Sequence, residues 1–268
     1  MPYAMVDGCR IAYDREGSGP PVLFLHGAAQ DGTVWREVVG GFTGGYDVIV
    51  MDHPGHGKSA LWQGEPMADV SVFAHVVGRF LQELGVGPAA LVAHSLSGAV
   101  ALRAALDVPE LVSAVVNIAG SARSAEAAIG YPGDLLDLVQ VNPTDWMVTN
   151  FRSLIGTQLS EERRWELAYD SKRVPPEVIM GDLHAYTSCT FYEELGGVSV
   201  PVLNVAGEHD WSCSPERVRS TAQALGGPHE LVVFDGVGHL PQLEVPEQLT
   251  PLIRAFFARI GHVAEESR

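Results

Sequence analysis

Short apolar runs rich in β-branched residues alternate with helix-patterned stretches along most of this chain, and that rhythm limits its fold more than any other feature. Strands covered on both faces read as continuous apolar runs, and each parallel neighbour needs a crossover, usually a helix, to reach it. The expected architecture is therefore α/β, with a mostly parallel central sheet flanked by helices. Ile11 to Tyr13, Val22 to His26, Tyr46 to Met51, Ala89 to Ala93, Leu111 to Ile118, Val200 to Val205 and Glu230 to Phe234 read as strands. Beyond the last, Leu249, Leu252, Ile253, Phe256, Phe257 and Ile260 recur at steps of three and four and make one apolar helix stripe. Thr250 and Pro251 are placed to cap its start, and the polar Ala264 to Arg268 reads as a frayed tail.

The rhythm breaks between Gly120 and Val198, where helix signals replace strand-like runs. Asn142 and Pro143 open a helix with Met147, Phe151, Leu154 and Ile155 on one face and Gly156 as its stop; Ser160 with Glu161 and Glu162 opens a second, and Pro175 with Pro176 a third. No Pro/Gly/Ser-rich linker isolates this stretch. The expected organisation is one α/β core, residues 1–120 and 198–268, carrying a helical cap over residues 121–197.

Composition excludes several function classes. A net charge of -16 repels phosphate backbones and anionic lipid surfaces, so neither nucleic acid nor membrane is an expected partner. No apolar run approaches the roughly 20 residues that span a bilayer, and Met1 to Arg10 has neither a basic region nor an apolar signal core, which points to a cytoplasmic protein. Cys9, Cys189 and Cys213 are widely separated and read as structural thiols; the ten histidines show no metal-ligand spacing. The expectation is organic chemistry with no metal and no cofactor, on a small-molecule substrate, by a monomer or homodimer.

Chemistry-bearing residues stand at the ends of the predicted strands. In Leu91-Val92-Ala93-His94-Ser95-Leu96-Ser97-Gly98-Ala99-Val100 a strand stops at a serine and resumes as a small-residue helix. A sharp turn that thrusts a hydroxyl above a sheet crowds the positions two before and two after it, here Ala93 and Ser97. The segment resembles the nucleophile elbow of the α/β-hydrolase superfamily, usually G-x-S-x-G, with both glycines replaced. Ser97 is thereby a rival nucleophile, but His94-Ser95-Leu96-Ser97-Gly98 resembles the family's H-S-x-G-G run and favours Ser95. A helix N-cap is the alternative role for Ser95.

Other segments carry the same resemblance. Leu23-Phe24-Leu25-His26-Gly27-Ala28-Ala29 resembles the oxyanion loop, and Asp52-His53-Pro54-Gly55-His56-Gly57-Lys58-Ser59 resembles the D-x-x-G-H-G-x-S loop, read as structural. Val205-Ala206-Gly207-Glu208-His209-Asp210 resembles the G-x-x-D acid loop, with Glu208 as fallback, and Gly236-Val237-Gly238-His239-Leu240-Pro241 the catalytic histidine loop. The chain order Ser, Asp, His, each just after a strand, is the order of this fold.

The resemblance implies an α/β-hydrolase fold from about Ile11 to Ile260, with Ser95 as nucleophile, His239 as general base and Asp210 orienting His239. It also implies an oxyanion hole from the N–H groups of Ala28 and Leu96. The expected function is a serine hydrolase of a small, mostly apolar ester, lactone, thioester or carbon–carbon substrate. An acyltransferase, cyclase or lyase, or a receptor without turnover, would carry the same motifs. An aspartate nucleophile, as in dehalogenases and epoxide hydrolases, is absent at position 95. The cap's Trp146, Met147, Phe151, Trp165, Tyr169 and Tyr186 point to a mostly apolar substrate, although at helical spacing most read as packing; Trp146, Met147, Phe151 and Tyr186 are the candidate pocket wall, with Asp134 or Arg152 for a polar group.

Overall fold

A computed structural model describes residues 2–123 and 135–263. Eight strands form one sheet: β1 (Tyr3–Val6), β2 (Cys9–Gly17), β3 (Pro21–Leu25), β4 (Asp47–Met51), β5 (Ala89–His94), β6 (Val112–Ile118), β7 (Val202–Gly207) and β8 (His229–Phe234). Their order across the sheet is β1-β2-β4-β3-β5-β6-β7-β8. The pairs from β4 to β8 are parallel, whereas β1–β2 and β2–β4 are antiparallel. The helices are α1 (Val70–Leu84), α2 (Leu96–Asp107), α3 (Leu135–Val139), α4 (Pro143–Leu154), α5 (Glu161–Tyr169), α6 (Pro176–Thr187), α7 (Pro215–Ala224), α8 (Pro241–Glu244) and α9 (Pro246–Arg259). Among the described residues no helix is long and apolar enough to cross a membrane.

Period-two alternation along the central strands feeds both faces of the sheet. Leu23, Leu25, Leu91 and Ala93 pack with Phe73, Val77, Phe80 and Leu81 of α1 and Val100 of α2. Val22, Phe24, Ala90, Val92 and Val116 face the other way, onto Trp35, Phe42 and the Ile253, Phe256 and Phe257 stripe of α9. Phe24 meets Trp35 and Phe42 edge-on, at 5.3 and 5.5 Å between ring centres. Between β6 and β7 the described chain is helical, and Met147, Phe151 and Leu154 of α4 with Val178, Ile179 and Leu183 of α6 join that second cluster.

Two sequence expectations need correction. The last helix starts at Pro246, after a Val245 N-cap, so Thr250 and Pro251 lie inside it rather than at its start. Proline fits its first position, where the N–H has no helical acceptor; Pro251 sits early enough that its ring removes only one bond near the end. Strand β1 was missed, because it is a four-residue edge strand with alternate residues exposed and only the Asp7-Gly8 turn to announce it. The predicted tail, Ala264 to Arg268, lies outside the described residues.

The carboxyl edge of the sheet is where backbone crowds backbone. A Cβ on Gly207, the last residue of β7, would lie 2.1 Å from Gly238 O and 2.5 Å from Val237 O. The expected outcome for Gly207→Ala is a loss of about 1–3 kcal/mol in urea unfolding, as for other overpacked sites. Gly44→Ala, whose Cβ meets nothing within 4 Å, should unfold within about 0.5 kcal/mol of the parent. Equal midpoints for the two variants would contradict this account of the edge.

Candidate active site

Ser95 joins β5 to α2 with φ 54° and ψ −118°, a conformation that a residue with a side chain adopts only under constraint. The turn is held by Ser95 N–H donating to Ile118 O (2.8 Å) and Gly98 N–H donating to Ser95 O (2.8 Å). It also needs bare backbone: a Cβ on Gly98 would lie 2.1 Å from Asn117 Oδ1 and 3.0 Å from Gly120 Cα. Its side chain makes no cap bond to α2, so the N-cap role is not what Ser95 does.

The hydroxyl is directed elsewhere. Ser95 Oγ and His239 Nε2 are 2.9 Å apart, and His239 Nδ1 and Asp210 Oδ2 are 2.7 Å apart. A carboxylate only accepts, so Nδ1 carries the hydrogen and donates to Asp210, leaving Nε2 to accept from Ser95. Asp210 Oδ1 accepts from Ser212 N (2.9 Å) and Cys213 N (3.0 Å), which saturates a carboxylate whose side chain is 0% exposed. Glu208, the fallback acid, is half-exposed and accepts from Gly236 N instead.

The rival serine is occupied. Ser97 is buried, donates to His26 O (2.5 Å) and accepts from His53 Nε2 (2.8 Å). His26 Nδ1 donates to Gly27 O (2.9 Å) and its Nε2 accepts from His53 N (3.0 Å). Burial, reinforced by the nearby His56, pushes His26 down to about 3. His53 is likewise held well below its ordinary value, by burial first and then by His26 and His56. Both imidazoles are thus neutral struts between the two loops and the elbow.

Ser95, Leu96, Ala28, His94 and His239 form the floor of a cavity with about 550 Å³ of empty space, open mouth included. Trp146, Met147 and Phe151 of α4 and Tyr186 of α6 stand in its wall, joined by Asn150, Leu154, Leu183, Trp211 and Ser212. Among the described residues the N–H groups of Ala28 and Leu96 donate to no other group. Trp165 and Tyr169 do not belong to the wall: they stack on each other at 5.7 Å on the surface, 40% and 50% exposed. Helical spacing alone could not separate that outer pair from the lining aromatics. Arg152 is also outside, paired with Glu161 (2.8 Å) and lying over the Trp165 ring. Asp134 falls outside the described residues.

Residues that sequence reasoning passed over hold the histidine loop. Glu244 Oε2 accepts from Gly156 N (2.8 Å) and Gly238 N (2.9 Å), and Oε1 from Leu240 N (2.9 Å), so one carboxylate clamps both neighbours of His239. Burial pushes the Glu244 carboxyl up, against the pull of those three donors. His94 Nε2 donates to His239 O (2.7 Å) from below, and His239 N donates to Leu154 O (2.8 Å). Proximity of Glu244 to His239 in the chain was the available signal; the other contacts are long-range.

A family model described as alpha/beta hydrolase fold matches residues 20–246. The pimeloyl-[acyl-carrier protein] methyl ester esterase of Nitrosomonas europaea is 30% identical over 89% of this chain and 96% of its own length. This chain belongs to the α/β-hydrolase fold family. It is also similar to a karrikin insensitive 2 receptor of Petunia hybrida, 25% identical over 88% of this chain and 92% of that one. A shorter match, 38% identical over 42% of this chain, covers only 30% of the dihydrolipoyllysine-residue acetyltransferase component of the acetoin cleaving system of Cupriavidus necator. Among solved structures, an N-acyl homoserine lactone degrading enzyme superposes with a TM-score of 0.83 at 25% identity, covering 95% of this chain and 100% of that one.

The neutral state of His53 has a stability consequence. A base whose folded pKa lies below its unfolded 6.5 contributes stability in full above pH 6.5 and loses it as pH falls below that value. His53→Gln keeps a donor for Ser97 but has no proton to bind. Its deficit in urea unfolding relative to the parent should therefore be smaller at about pH 5 than at about pH 7.5. An equal deficit at both would contradict the neutral-strut assignment.

Proposed function

We propose that this protein is a serine hydrolase that cleaves a small, mostly apolar carboxylic ester or lactone through an acyl-Ser95 intermediate. His239 Nε2 takes the proton of Ser95 Oγ as that oxygen bonds to the substrate carbonyl carbon. Asp210 holds Nδ1–H and stabilises the imidazolium that forms. The carbonyl oxygen, now an oxyanion, lies against the N–H groups of Ala28 and Leu96. Collapse breaks the bond to the leaving oxygen, which takes the proton from His239; water, deprotonated by the same imidazole, then releases the acid and restores Ser95. The helices α3 to α6 act as a cap that keeps water off the acyl group.

The observation that carries this reading is the continuous relay of 2.9 and 2.7 Å from a strained serine through His239 to a buried carboxylate. Its position at the floor of a mostly apolar cavity supports a substrate with an apolar body. Similarity to an ester-cleaving and a lactone-degrading enzyme supports the oxygen-ester class over thioesters and carbon–carbon bonds.

A fluorophosphonate probe should label Ser95 alone, because only an activated hydroxyl reacts. Label on Ser97, or none, would defeat the assignment. On a panel of p-nitrophenyl esters and lactones, Ser95→Ala and His239→Ala should each lower kcat/KM by about a thousandfold or more, and Asp210→Asn similarly, with folding retained. Stoichiometric ligand binding with no product across the panel would favour a receptor of the kind the Petunia relative is named for.

A further inference from the structure

Asp182 lies on α6 with its carboxylate buried beneath the cavity, 1% exposed, and it contacts neither Ser95 nor His239. Its Oδ2 accepts from two directions: the N–H of Ala29 at 2.8 Å and Nε2 of His56 at 2.9 Å. His56 Nδ1 donates in turn to Pro54 O at 3.0 Å. Both ring nitrogens therefore face oxygens, an arrangement that an imidazolium satisfies with both of its N–H groups. Burial opposes that charge, but Asp182, together with the Pro54 carbonyl and Asp52, holds His56 above its ordinary value.

The Ala29 end bears on the reaction. Ala29 has a φ of 54°, in the left-handed region that an alanine avoids unless its surroundings impose it. Its N–H shares a peptide plane with the carbonyl of Ala28, so fixing that N–H fixes the rotation that sets the direction of Ala28 in the loop. Gln30 Oε1 fixes the other side by accepting from Gly27 N at 2.9 Å. The next residue along α6, Leu183, and Tyr186 one turn on are in the cavity wall.

We propose that Asp182, with His56 as its counter-charge, is a positioning residue that holds the strained Ala28–Ala29 turn in oxyanion-binding geometry and registers it to the α6 wall of the substrate cavity. The inference rests on the acyl-Ser95 reading above. Removing the carboxylate frees Ala29 to relax and turns the Ala28 N–H away from the oxyanion. The loss falls on the transition state, because the apolar wall that binds the ground state is unchanged.

The test compares Asp182→Ala with Asp182→Asn, since the asparagine oxygen, set where Oδ2 stands, still accepts from both Ala29 N–H and the Nε2–H of a neutral His56. For the best ester of the panel, Asp182→Ala should lower kcat by about tenfold to a hundredfold with KM changed less than about threefold, and Asp182→Asn should return kcat to within about fivefold of the parent. Hydrogen exchange read by mass spectrometry gives a measure independent of turnover: protection of residues 26–31 should fall in Asp182→Ala and persist in Asp182→Asn. If circular dichroism shows the alanine variant unfolded, the His56→Leu/Asp182→Leu pair, which removes both charges and fills their space, takes its place with the same expectations. Unchanged exchange in a folded variant, or exchange that rises while kcat holds, overturns the positioning role. A parent without turnover or Ser95 labelling instead overturns the hydrolase reading, and this inference with it.

Discussion

The strained turn at Ser95 is the constraint on which the site depends. A backbone at φ 54° and ψ −118° costs on the order of 1–3 kcal/mol and persists only if its surroundings leave no alternative. Those surroundings are a fully buried strand on one side and a helix on the other whose Gly98 leaves no room for a methyl group. Ala29 and Ala119, just beyond β3 and β6, have the same left-handed φ, at 54° and 50°. Asp7 and Gln63 share that region in exposed turns, but Ser95, Ala29 and Ala119 bring strain to one buried edge of the sheet, where the hydrophobic clusters on both faces supply the stability that offsets it.

That edge is held by three buried carboxylates, Asp182 on α6, Glu244 on α8 and Asp210 on a loop, which accept from the backbone of the loops around them. Asp210 saturates its carboxylate with two N–H groups and His239; Glu244 does so with three N–H groups around His239; Asp182 bridges Ala29 and His56. A buried carboxylate that loses one of these hydrogen bonds costs about 1.5–3 kcal/mol, which commits each of the loops to one arrangement. The neutral histidines serve the same end differently: deprived of charge by burial, His26 and His53 bridge Gly27, the turn at His53 and Ser97 without needing a counter-ion.

Much of this was legible in the sequence because the information is local. Each strand of the parallel core announces itself as an apolar run, and Ser95, Asp210 and His239 stand immediately after such runs, within motifs a few residues long. What was not legible depends on distance. Asp182 and His56 are 126 residues apart, and a lone aspartate on an amphipathic helix looks like part of a solvated face. Trp165 and Tyr169 share the composition and helical spacing of the lining aromatics, and only packing puts them outside. Pro251 was misplaced because a proline signals a helix start more often than it tolerates a position inside one.

The most direct test of the central claim is a crystal structure of the protein with an alkyl boronic acid. The account predicts a tetrahedral boron bonded to Ser95 Oγ, with one boronate oxygen about 2.7–3.1 Å from the N–H groups of both Ala28 and Leu96 and another facing His239 Nε2. An adduct on Ser97, or a boronate on Ser95 whose oxygens avoid those two N–H groups, would contradict it.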